Sequence, residues 1–541
     1  MKGYRRRLLH GPASAPWETV LAWAAFSEPF CFLDSASADV YGKFSLLVGG
    51  GAARRLQPAA RSGVATKAEW NQAKAVYRAA PSWWFGLMSY EFKNVLESLG
   101  TSASRFPDTP DFCFFEPQWV LGVPSDGSDS WVEFHASMTS AEEAAWWALW
   151  QREIGVDALG GDNEPESVGR ARWQRENAEN AEKKEDSENA ENSENSEDSE
   201  NAENSENSED SENAKNSENS ENAKNSENSE NSEKTENSEN SENSENALGG
   251  QNEHGSARKF TLLSPTAEQQ QDYIRAAQEL LDHMRKGNLY EANLCLAWDY
   301  PVAPDPLSLY AAWREKSKAP MAGLFRWKDV WLVSGSPERY LQIESNRVIS
   351  RPIKGTAPRG KSPEEDRASE NQLRESSKER AENIMIVDVV RNDLSRFCVP
   401  GTVHVPSLCA IESFETVHQM VSTVEGALLP GADGFTALEC SFPMGSMTGA
   451  PKVEAMKRLD EVEKFARGWY SGSLGYLSPD GSSDWNVVIR SLLVHTKEKR
   501  TRTAAGSALT LAADPLQEWS ECLLKVAAVH SVLEKVVLND V

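Results

Sequence analysis

Cysteine is scarce in this sequence, and its few copies are scattered. The 541 residues include seven cysteines, an odd number, and no two of them form a Cys-x-x-Cys pair. The sequence therefore predicts neither a disulfide framework nor a zinc site of paired cysteines, and it favours a reducing compartment, for which we take the cytoplasm. A GxGxxG loop after a strand is missing as well, so no dinucleotide-binding motif is indicated.

Long apolar runs and an excess of positive charge are also missing. No stretch of about 18 apolar residues exists, so no membrane-spanning helix is predicted. The basic N-terminal segment is interrupted at His10, Gly11 and Pro12, and a signal peptide is not predicted. The net charge of −27 is confined largely to one tract, and the rest of the chain is nearly balanced. We therefore expect neither a nucleic-acid partner nor a membrane partner.

The acidic tract is repetitive. Residues 176–247 hold 25 of the 83 acidic residues and 5 of the 56 basic ones, in repeats such as ENSENSEDSEN. A segment with almost no apolar side chains cannot offset the entropy of ordering, which predicts disorder. We interpret it as a solvated linker whose deletion leaves activity intact, with an interaction tail as the alternative. It divides the chain into an N-terminal region (1–170), an insert (171–257) and a C-terminal region (258–541).

Strand-like and helical patterns are mixed on both sides of the insert. YGKFSLLVGGG and FCFFEPQWVLGV predict strands, and PSWWFGLMSYEFKNVLESLG predicts a strand and then a helix ending near Gly100. A capping box at Thr266 and Gln269 begins a helix with an apolar stripe, and Gly287 ends it. Further helices are predicted over about 378–397 and 515–536. Without a regular βαβ alternation, this pattern indicates an α+β fold.

Two pairs of glutamates are spaced to share a helix face. Glu379 and Glu382 are three residues apart, and so are Glu518 and Glu521. Residues at i and i+3 lie on one face. Two such faces brought together would offer carboxylates to a hard divalent cation such as Mg²⁺. Taken alone, each pair is explained as simply by a solvated helix face.

Other segments carry polar groups suited to a site. Glu338 follows a proline in SGSPERY, and a carboxyl among apolar neighbours can have a raised pKa and act as a general acid, although a surface turn is the plainer explanation. Thr448 and Gly449, in FPMGSMTGAPK, precede a helix start and would suit an anionic ligand, and a structural glycine turn explains them equally well. Arg490 in NVVIR is a natural bidentate partner of a carboxylate, although a lone arginine at a strand end is more often a surface residue, and Tyr476 lies in GYLSPDG shortly before it.

Lys354 lies in RPIKGTAPRG, directly before a glycine. Glycine lets the backbone approach a ligand closely and adopt positive φ. The stretch alone leaves two interpretations open, which are a surface charge and a nucleophile.

Taken together, these segments resemble the chorismate-utilising enzymes, which include anthranilate synthase component I, aminodeoxychorismate synthase component I and isochorismate synthases. The family's order is followed across about 258–540 by SPERY, RPIKGT, ERAENIMIVDVVRNDLSRFCVPGTVHV, FETVHQMVSTVEG, FPMGSMTGAPKVEAM, GSLGYLSPDG, NVVIR and DPLQEWSECLLK. FLDSA and WWFGLMSYEFKN are similar to its less distinctive N-terminal part. The resemblance implies large mixed or antiparallel sheets packed as a sandwich, with helices outside.

The resemblance also implies a role for each matching position. Glu382 and Glu521 would ligate Mg²⁺, which would hold the ring carboxylate of chorismate, while Glu379 and Glu518 would lie in the water shell of the metal. Glu338 would protonate the departing C4 hydroxyl. The implied substrate-binding positions are Gly355, Thr356, His418, Thr448, Gly449, Tyr476, Arg490 and Gly506, of which the tyrosine and arginine would hold the enolpyruvyl carboxylate.

Lys354 distinguishes the branches of the family. Anthranilate synthases usually have alanine in PIAGT, whereas PIKGT is similar to aminodeoxychorismate synthase component I, which aminates chorismate to 4-amino-4-deoxychorismate for p-aminobenzoate and folate synthesis. The lysine would attack C2 as the C4 hydroxyl leaves, and ammonia would then add at C4 and expel it. This requires an unprotonated lysine, favoured by burial or by nearby positive charge such as Mg²⁺. Isochorismate synthases have a lysine base near the position of Glu291, which argues against that branch.

Two motifs depart from the family pattern. GDxYQVNL is GNLYEANL here, so Glu291 replaces a glutamine, and GGGIVADSDP is GSALTLAADP, so Ser507 and Ala508 replace glycines. The added Cβ atoms could crowd the site. Anthranilate synthase component I and a catalytically weakened chorismate-binding paralogue are therefore kept as alternatives, and restoring the glycines should raise turnover in the paralogue. No glutaminase signature is evident, so ammonia would come from a glutamine amidotransferase subunit or from free ammonia.

Overall fold

The computed structural model describes residues 4–9, 17–35, 43–60, 62–100, 103–126, 128–154 and 266–539. The insert predicted at 171–257 lies outside the described residues, and so do the predicted domain boundaries near 170 and 258. The described parts before and after the insert belong to one unit. Their strands share sheets, so the two parts fold together.

Twenty-one strands and eleven α-helices make up the described residues. The strands are β1 (Tyr4–Leu8), β2 (Phe30–Asp34), β3 (Phe44–Gly50), β4 (Arg54–Leu56), β5 (Trp84–Met88), β6 (Phe112–Glu116), β7 (Trp119–Pro124), β8 (Trp131–His135), β9 (Glu291–Tyr300), β10 (Met321–Trp327), β11 (Val330–Ser336), β12 (Arg339–Glu344), β13 (Arg347–Ser350), β14 (Ile353–Pro358), β15 (His404–Ser413), β16 (Val417–Ala427), β17 (Gly449–Ala450), β18 (Ser473–Leu477), β19 (Ser483–Asn486), β20 (Ser491–His495) and β21 (Arg500–Thr510). The helices are α1 (Trp17–Ala24), α2 (Lys67–Ala79), α3 (Lys93–Glu97), α4 (Ser140–Ile154), α5 (Ala267–Arg285), α6 (Pro306–Ser317), α7 (Pro363–Glu375), α8 (Ser377–Ser395), α9 (Gly434–Ser441), α10 (Lys452–Val462) and α11 (Pro515–Asn539).

Two large antiparallel sheets carry the fold. The first has the order β1-β8-β7-β3-β2-β10-β11-β20-β21-β9-β17, and the second has the order β14-β16-β13-β12-β19-β18-β5-β6-β4, with β15 also paired to β16. Strands from before the insert pair with strands after it in both sheets, as in β2 with β10 and β5 with β18. The N-terminal part therefore completes both sheets.

The core follows the period-two alternation of strand side chains. On β10, Phe325 belongs to the cluster of apolar residues between the sheets, whereas its neighbour Leu324 belongs to the cluster that α1, α4, α5, α6 and α11 cover on the outer face of the first sheet. A third cluster packs α2, α8 and α9 on the second sheet. Helices thus lie outside both sheets, which confirms the predicted α+β sandwich.

The structure confirms several local predictions and corrects others. Thr266 and Gln269 form both bonds of the capping box of α5, and the whole predicted apolar stripe of that helix is buried. FCFFEPQWVLGV is two strands in different sheets, β6 and β7, separated by Pro117, which has no N–H to continue a ladder. The helix predicted to end near Gly100 is the short α3, which ends at Ser98 with φ 53°. In the part of the chain that the structure covers, no helix is both long and apolar enough to span a bilayer.

Candidate active site

Lys354 connects the second sheet to the first. It is on β14, the edge strand of the second sheet, and its Nζ donates to Glu291 Oε1 on β9 at 2.8 Å. The Lys354 side chain is 10% exposed and that of Glu291 1%. The lysine is therefore a buried cation in an ion pair, and the surface-charge interpretation is wrong.

The backbone after Lys354 is distorted to bring β14 against α8. The register of β14 on β16 shifts between Ile353 and Thr356, and Gly355 has φ 86°. A Cβ on Gly355 would lie 3.0 Å from Glu379 Oε2 and from Leu373 Cδ1. Glycine is required here both by its positive φ and by the close approach of α8. Thr356 is exposed and pairs with Gln419 on β16.

Three carboxylates determine the charge of Lys354. Burial by itself lowers the pKa of this ammonium, but the negative charges of Glu291, Glu382 and Glu338 outweigh burial, and the net shift of its pKa is upward. Burial alone therefore does not release the free amine that the sequence-based mechanism requires. Lys354 is held as an ammonium until something removes its proton.

Glu338 lies in the turn between β11 and β12 and is buried. Its N–H donates to Ser336 Oγ at 3.2 Å, and its carbonyl accepts from Val487 N–H at 3.0 Å, so the turn is fixed at both ends. Burial raises the pKa of its carboxyl to about 7, against the opposing effects of Ser446, of Lys354 and of the Ile353 N–H. A carboxyl that is part protonated near neutrality can donate a proton to a leaving group.

The four predicted glutamates come together at the start of α8 and α11. Lys378 joins the helices, since its Nζ lies 3.0 Å from Glu518 Oε1 and 3.9 Å from Glu382 Oε1. Glu379 and Glu521 interact electrostatically across the same gap, and Glu521 also pairs with Lys525. Two helix faces far apart in sequence therefore meet as predicted.

The chemistry of this cluster fits a hard cation. Burial, together with the negative charge of Glu379, raises the pKa of Glu382 to about 7, against the opposing positive charges of Lys354 and Lys378. Glu382 Oε1 is buried without a hydrogen-bond partner among the described residues. Buried carboxylate oxygens that lack donors are suitable ligands for Mg²⁺, which prefers oxygen and keeps several waters. The carboxylate oxygens of the four glutamates do not lie close enough together to ligate one ion directly. Within the described ranges, the possible ligand atoms that all lie within 4.8 Å of one another belong to Glu279, His283 and Glu461, on α5 and α10.

Arg490 is a partly buried cation near the glutamates. It has φ 52°, and its NH1 donates to the Lys525 carbonyl on α11 at 2.9 Å. Burial lowers the pKa of its guanidinium, while Tyr470 and Glu521 oppose that shift. A desolvated guanidinium is a strong site for a carboxylate.

The tyrosine that interacts electrostatically with Arg490 is Tyr470, not the predicted Tyr476. Tyr476 lies on β18 and points between the sheets, where its ring centroid is 5.9 Å from that of Trp83 and 6.3 Å from that of Phe85. It lines a separate cavity together with Asp34. The predicted pairing of Tyr476 with Arg490 is therefore corrected, because the β18 side-chain alternation directs that ring away from the site.

The loop with Thr448 and Gly449 forms one wall beside Glu291. Gly449 pairs with Ala292, its φ is 145°, and a Cβ there would lie 2.1 Å from the Glu291 carbonyl. Thr448 is buried and its hydroxyl donates to the Met444 carbonyl at 3.1 Å. The structure therefore brings this loop to Glu291, with the threonine hydroxyl engaged by backbone.

His418 is near β14 but both ring nitrogens are engaged. Nδ1 lies 2.8 Å from Ser413 Oγ, and Nε2 lies 2.9 Å from Asp366 Oδ1. Its strand neighbour is Ala357 on β14. The structure therefore does not present a free imidazole nitrogen to a substrate at Lys354.

Asp366 also binds a segment whose sequence has the spacing of a phosphate-binding loop. Residues 355–362, GTAPRGKS, have the spacing of a GxxxxGKS motif between a strand and a helix. Asp366 Oδ1 accepts the Gly360 N–H and the Arg359 Nε–H, each at 2.8 Å. A carboxylate therefore already fills the anion position, and β14 is an antiparallel edge strand, so this is not a phosphate-binding loop.

The departures at Ser507 and Ala508 lie within a regular strand. Gly506 pairs with Cys295 and its carbonyl accepts from Lys525 Nζ at 2.9 Å. The hydroxyl of Ser507 lies 2.6 Å from that of Tyr273 on α5. β21 continues as a regular strand to Thr510. The Ser507 side chain points into the core toward α5, so its Cβ does not crowd the site around Lys354 as predicted.

Comparison with known proteins agrees with this geometry. A family model described as chorismate binding enzyme matches residues 198–531. The chain belongs to the chorismate-binding enzyme family. Three solved structures share the fold at low identity. Anthranilate synthase component I from Streptococcus pneumoniae TIGR4 has a TM-score of 0.58 and 19% identity, covering 91% of this chain and 93% of that one. The menaquinone-specific isochorismate synthase MenF from Escherichia coli has a TM-score of 0.61 and 16% identity, covering 98% of this chain and 95% of that one. The putative isochorismate synthase DhbC from Bacillus anthracis has a TM-score of 0.55 and 15% identity, covering 94% of this chain and 96% of that one.

Similar sequences in this family include proteins named aminodeoxychorismate synthase and proteins named anthranilate synthase component 1. The chain is 43% identical over 270 residues to a probable aminodeoxychorismate synthase, chloroplastic, of Oryza sativa subsp. japonica, and 41% identical over 284 residues to aminodeoxychorismate synthase, chloroplastic, of Arabidopsis thaliana. These alignments cover 49% and 52% of this chain but 30% and 31% of the relatives. Anthranilate synthase component 1 of Thermus thermophilus is 37% identical over 262 residues, 48% of this chain and 56% of that protein. The chain thus spans about a third of the two plant relatives.

Two residues of the site escaped the reasoning from sequence. Glu291 was noted as a departure but not as the partner of Lys354, and Tyr470 was not considered. Glu291 and Lys354 are 63 residues apart in sequence, so only the packing of the two sheets brings them together. The one signal in the sequence was that a glutamate stands where the family usually has a glutamine.

Proposed function

We propose that the chain is the chorismate-aminating part of an aminodeoxychorismate synthase. It converts chorismate and ammonia to 4-amino-4-deoxychorismate, a precursor of p-aminobenzoate and folate. The observation that supports this most is the buried amine of Lys354, which shares its surroundings with the part-protonated carboxyl of Glu338. The names of the plant relatives agree with the same activity.

The residues divide the work of binding and proton transfer. Arg490, with Tyr470 beside it, holds the enolpyruvyl carboxylate, and the glutamate cluster of α8 and α11 holds Mg²⁺. Bound Mg²⁺ supplies positive charge for the ring carboxylate. Lys354 Nζ forms a bond to C2 while the C4–O bond breaks, and Glu338 gives its proton to the departing hydroxyl, which leaves as water. Ammonia then bonds to C4 and the C2–N bond breaks, so the new nitrogen takes the position that the hydroxyl left.

Ammonia in this proposal comes from a glutamine amidotransferase partner. The sequence carries no glutaminase signature, and the chain spans about a third of the plant relatives. The cytoplasm is the compartment expected from the free thiols, although the plant relatives are named chloroplastic. Free ammonium should replace the partner in vitro.

A product assay tests the proposal. The protein is incubated with chorismate, Mg²⁺ and ammonium, and the products are separated and identified by mass. We expect 4-amino-4-deoxychorismate, no product with glutamine alone, and no product after chelation of Mg²⁺. Anthranilate as the main product would overturn the proposal in favour of the activity named for the Thermus thermophilus relative.

A further inference from the structure

Glu291 is a buried carboxylate that has, among the described residues, a single charged partner within ion-pair distance. It opens β9, where its backbone pairs with Thr510 on β21 and with Ala450 on β17, so its position is fixed from both sides. Oε1 accepts from Lys354 Nζ, and Oε2 is buried without a hydrogen-bond partner in the described part of the chain. A carboxylate buried with one oxygen unsatisfied is costly, which suggests that it serves something other than stability.

The proposed chemistry leaves a proton unaccounted for at Lys354. An ammonium has no lone pair, so it cannot attack carbon until it has lost a proton. The carboxylates that act most strongly on Nζ are Glu291 from β9, Glu382 from α8 and Glu338 from the β11–β12 turn. Glu379 of α8 and Glu521 of α11 also interact electrostatically with Lys354. All five stabilise the ammonium, so one of them must also be able to take the proton.

Geometry selects one of the five. Glu338 has to carry a proton of its own in order to donate it to the leaving hydroxyl. The glutamate cluster supplies Glu379, Glu382 and Glu521, none of which forms an ion pair with Lys354 within 4.0 Å, whereas Glu291 Oε1 lies at 2.8 Å. A base must lie within about 2.6–3.2 Å of the atom that gives the proton. Glu291 is the group that meets this requirement.

We propose that Glu291 is the catalytic base that deprotonates Lys354, an inference that rests on the proposed amination of chorismate. The proton moves from Nζ to Oε1, leaving a neutral amine beside a neutral carboxylic acid. The amine bonds to C2 and becomes a secondary ammonium as the C4–O bond breaks. When ammonia bonds to C4, the C2–N bond breaks and Lys354 leaves as a neutral amine.

The cycle then closes without any outside reagent. Glu291 returns its proton to the neutral amine, which restores the ion pair seen in the structure. Glu338, left as a carboxylate when the hydroxyl departed as water, takes a proton from the new C4 ammonium. Chorismate and ammonia have become 4-amino-4-deoxychorismate and water, and both carboxyl groups are back in their starting states.

A pH series with Glu291→Gln tests the base. Glutamine keeps the size and the hydrogen-bond acceptor but cannot hold the proton. We expect kcat with ammonium to fall by about 10²–10⁴-fold at pH 7 and the loss to shrink about tenfold per pH unit as Lys354 deprotonates to solvent. KM for chorismate should change little. Without ammonium, the mass of a chorismate adduct on the Lys354 peptide should appear in the wild type and be much reduced in the variant at pH 7.

Controls separate this inference from the proposed function. Glu375→Gln removes an exposed carboxylate at the end of α7 and should leave kcat and its pH profile unchanged. Glu291→Asp keeps a carboxylate and should retain the wild-type profile at a lower rate, which decides the matter if the glutamine variant does not fold. Wild-type activity with an unchanged profile in Glu291→Gln, or a loss equal at every pH, would overturn the base. Absence of 4-amino product from the wild type would instead overturn the proposed function.

Discussion

The Cα of Gly355 lies so close to Glu379 that a Cβ on it would be 3.0 Å from Glu379 Oε2. This contact joins the strand that carries Lys354 to the helix that carries Glu379 and Glu382. Lys354 and the glutamate cluster are therefore positioned by one close approach, and glycine is what allows it.

Gly355→Ala should therefore damage activity more than stability. Positive φ costs an alanine about 1–2 kcal/mol, and the added methyl must push β14 from α8. Gly401→Ala is the matched control, because Gly401 has φ 82° and no described atom lies within 4 Å of the place its methyl would take. Thermal unfolding should show a loss in both variants, somewhat larger in Gly355→Ala because of the contact with α8, whereas kcat should fall only in Gly355→Ala. Equal activity in the two variants would contradict the positioning role.

Lys354→Ala should abolish most formation of 4-amino-4-deoxychorismate. The loss of a nucleophile is expected to lower kcat by on the order of 10³-fold or more, and the change also leaves Glu291 buried without its partner. Product formation with ammonium is the measurement, and Lys361→Ala, at an exposed lysine just beyond β14, is the control. Full activity in Lys354→Ala would mean that this amine does not attack the ring.

The carboxyl of Glu338 should give the enzyme an upper pH limit near 7. As its pKa is raised to about 7, the proton it donates is lost as pH rises through that value, and kcat should fall above it. Glu338→Gln should lower kcat by about 10²–10⁴-fold. Glu344→Gln, at an exposed site on β12, serves as the control for pH–rate profiles.

The free energy of unfolding should also depend on pH through the raised pKa of the Glu338 carboxyl. Glu338 binds its proton more tightly when folded than when unfolded, so its contribution to stability is full below the unfolded pKa of about 4.3. That contribution is lost as pH rises through about 7. Unfolding free energies of the wild type and Glu338→Gln should therefore differ in slope between these values, and parallel curves would contradict the shift.

Helical periodicity and capping were enough to predict much of the fold, because both depend on neighbours in sequence. The stripe of α5, its capping box and the paired glutamates of α8 and α11 follow from i, i+3 and i, i+4 spacing. The protonation of Lys354 could not be predicted, because it depends on carboxylates that long-range pairing brings to Nζ. Which side chains of β18 face the site also depends on long-range packing, so the sequence pointed to Tyr476 and gave no reason to consider Tyr470.

Tyr470→Phe and Tyr476→Phe form a matched pair for that correction. Each removes one buried hydroxyl, but of the two only Tyr470 interacts electrostatically with Arg490. In the proposed complex the Tyr470 hydroxyl donates to the enolpyruvyl carboxylate. A hydrogen bond to a charged group contributes about 1.5–3 kcal/mol, so KM for chorismate should rise about 10- to 100-fold in Tyr470→Phe. Steady-state kinetics should show little change in Tyr476→Phe, and the reverse pattern would restore the original assignment.

Ser507→Gly distinguishes an active enzyme from a paralogue weakened by crowding. Since the hydroxyl of Ser507 meets that of Tyr273 at 2.6 Å, its removal should cost about 1 kcal/mol for the hydrogen bond and up to about 1 kcal/mol for glycine in a strand. Ala505→Gly, in the same buried strand, measures the effect of glycine alone. Turnover should not increase in Ser507→Gly, because the side chain is directed at α5. An increase in kcat would show that Ser507 does obstruct the substrate and would favour the weakened paralogue.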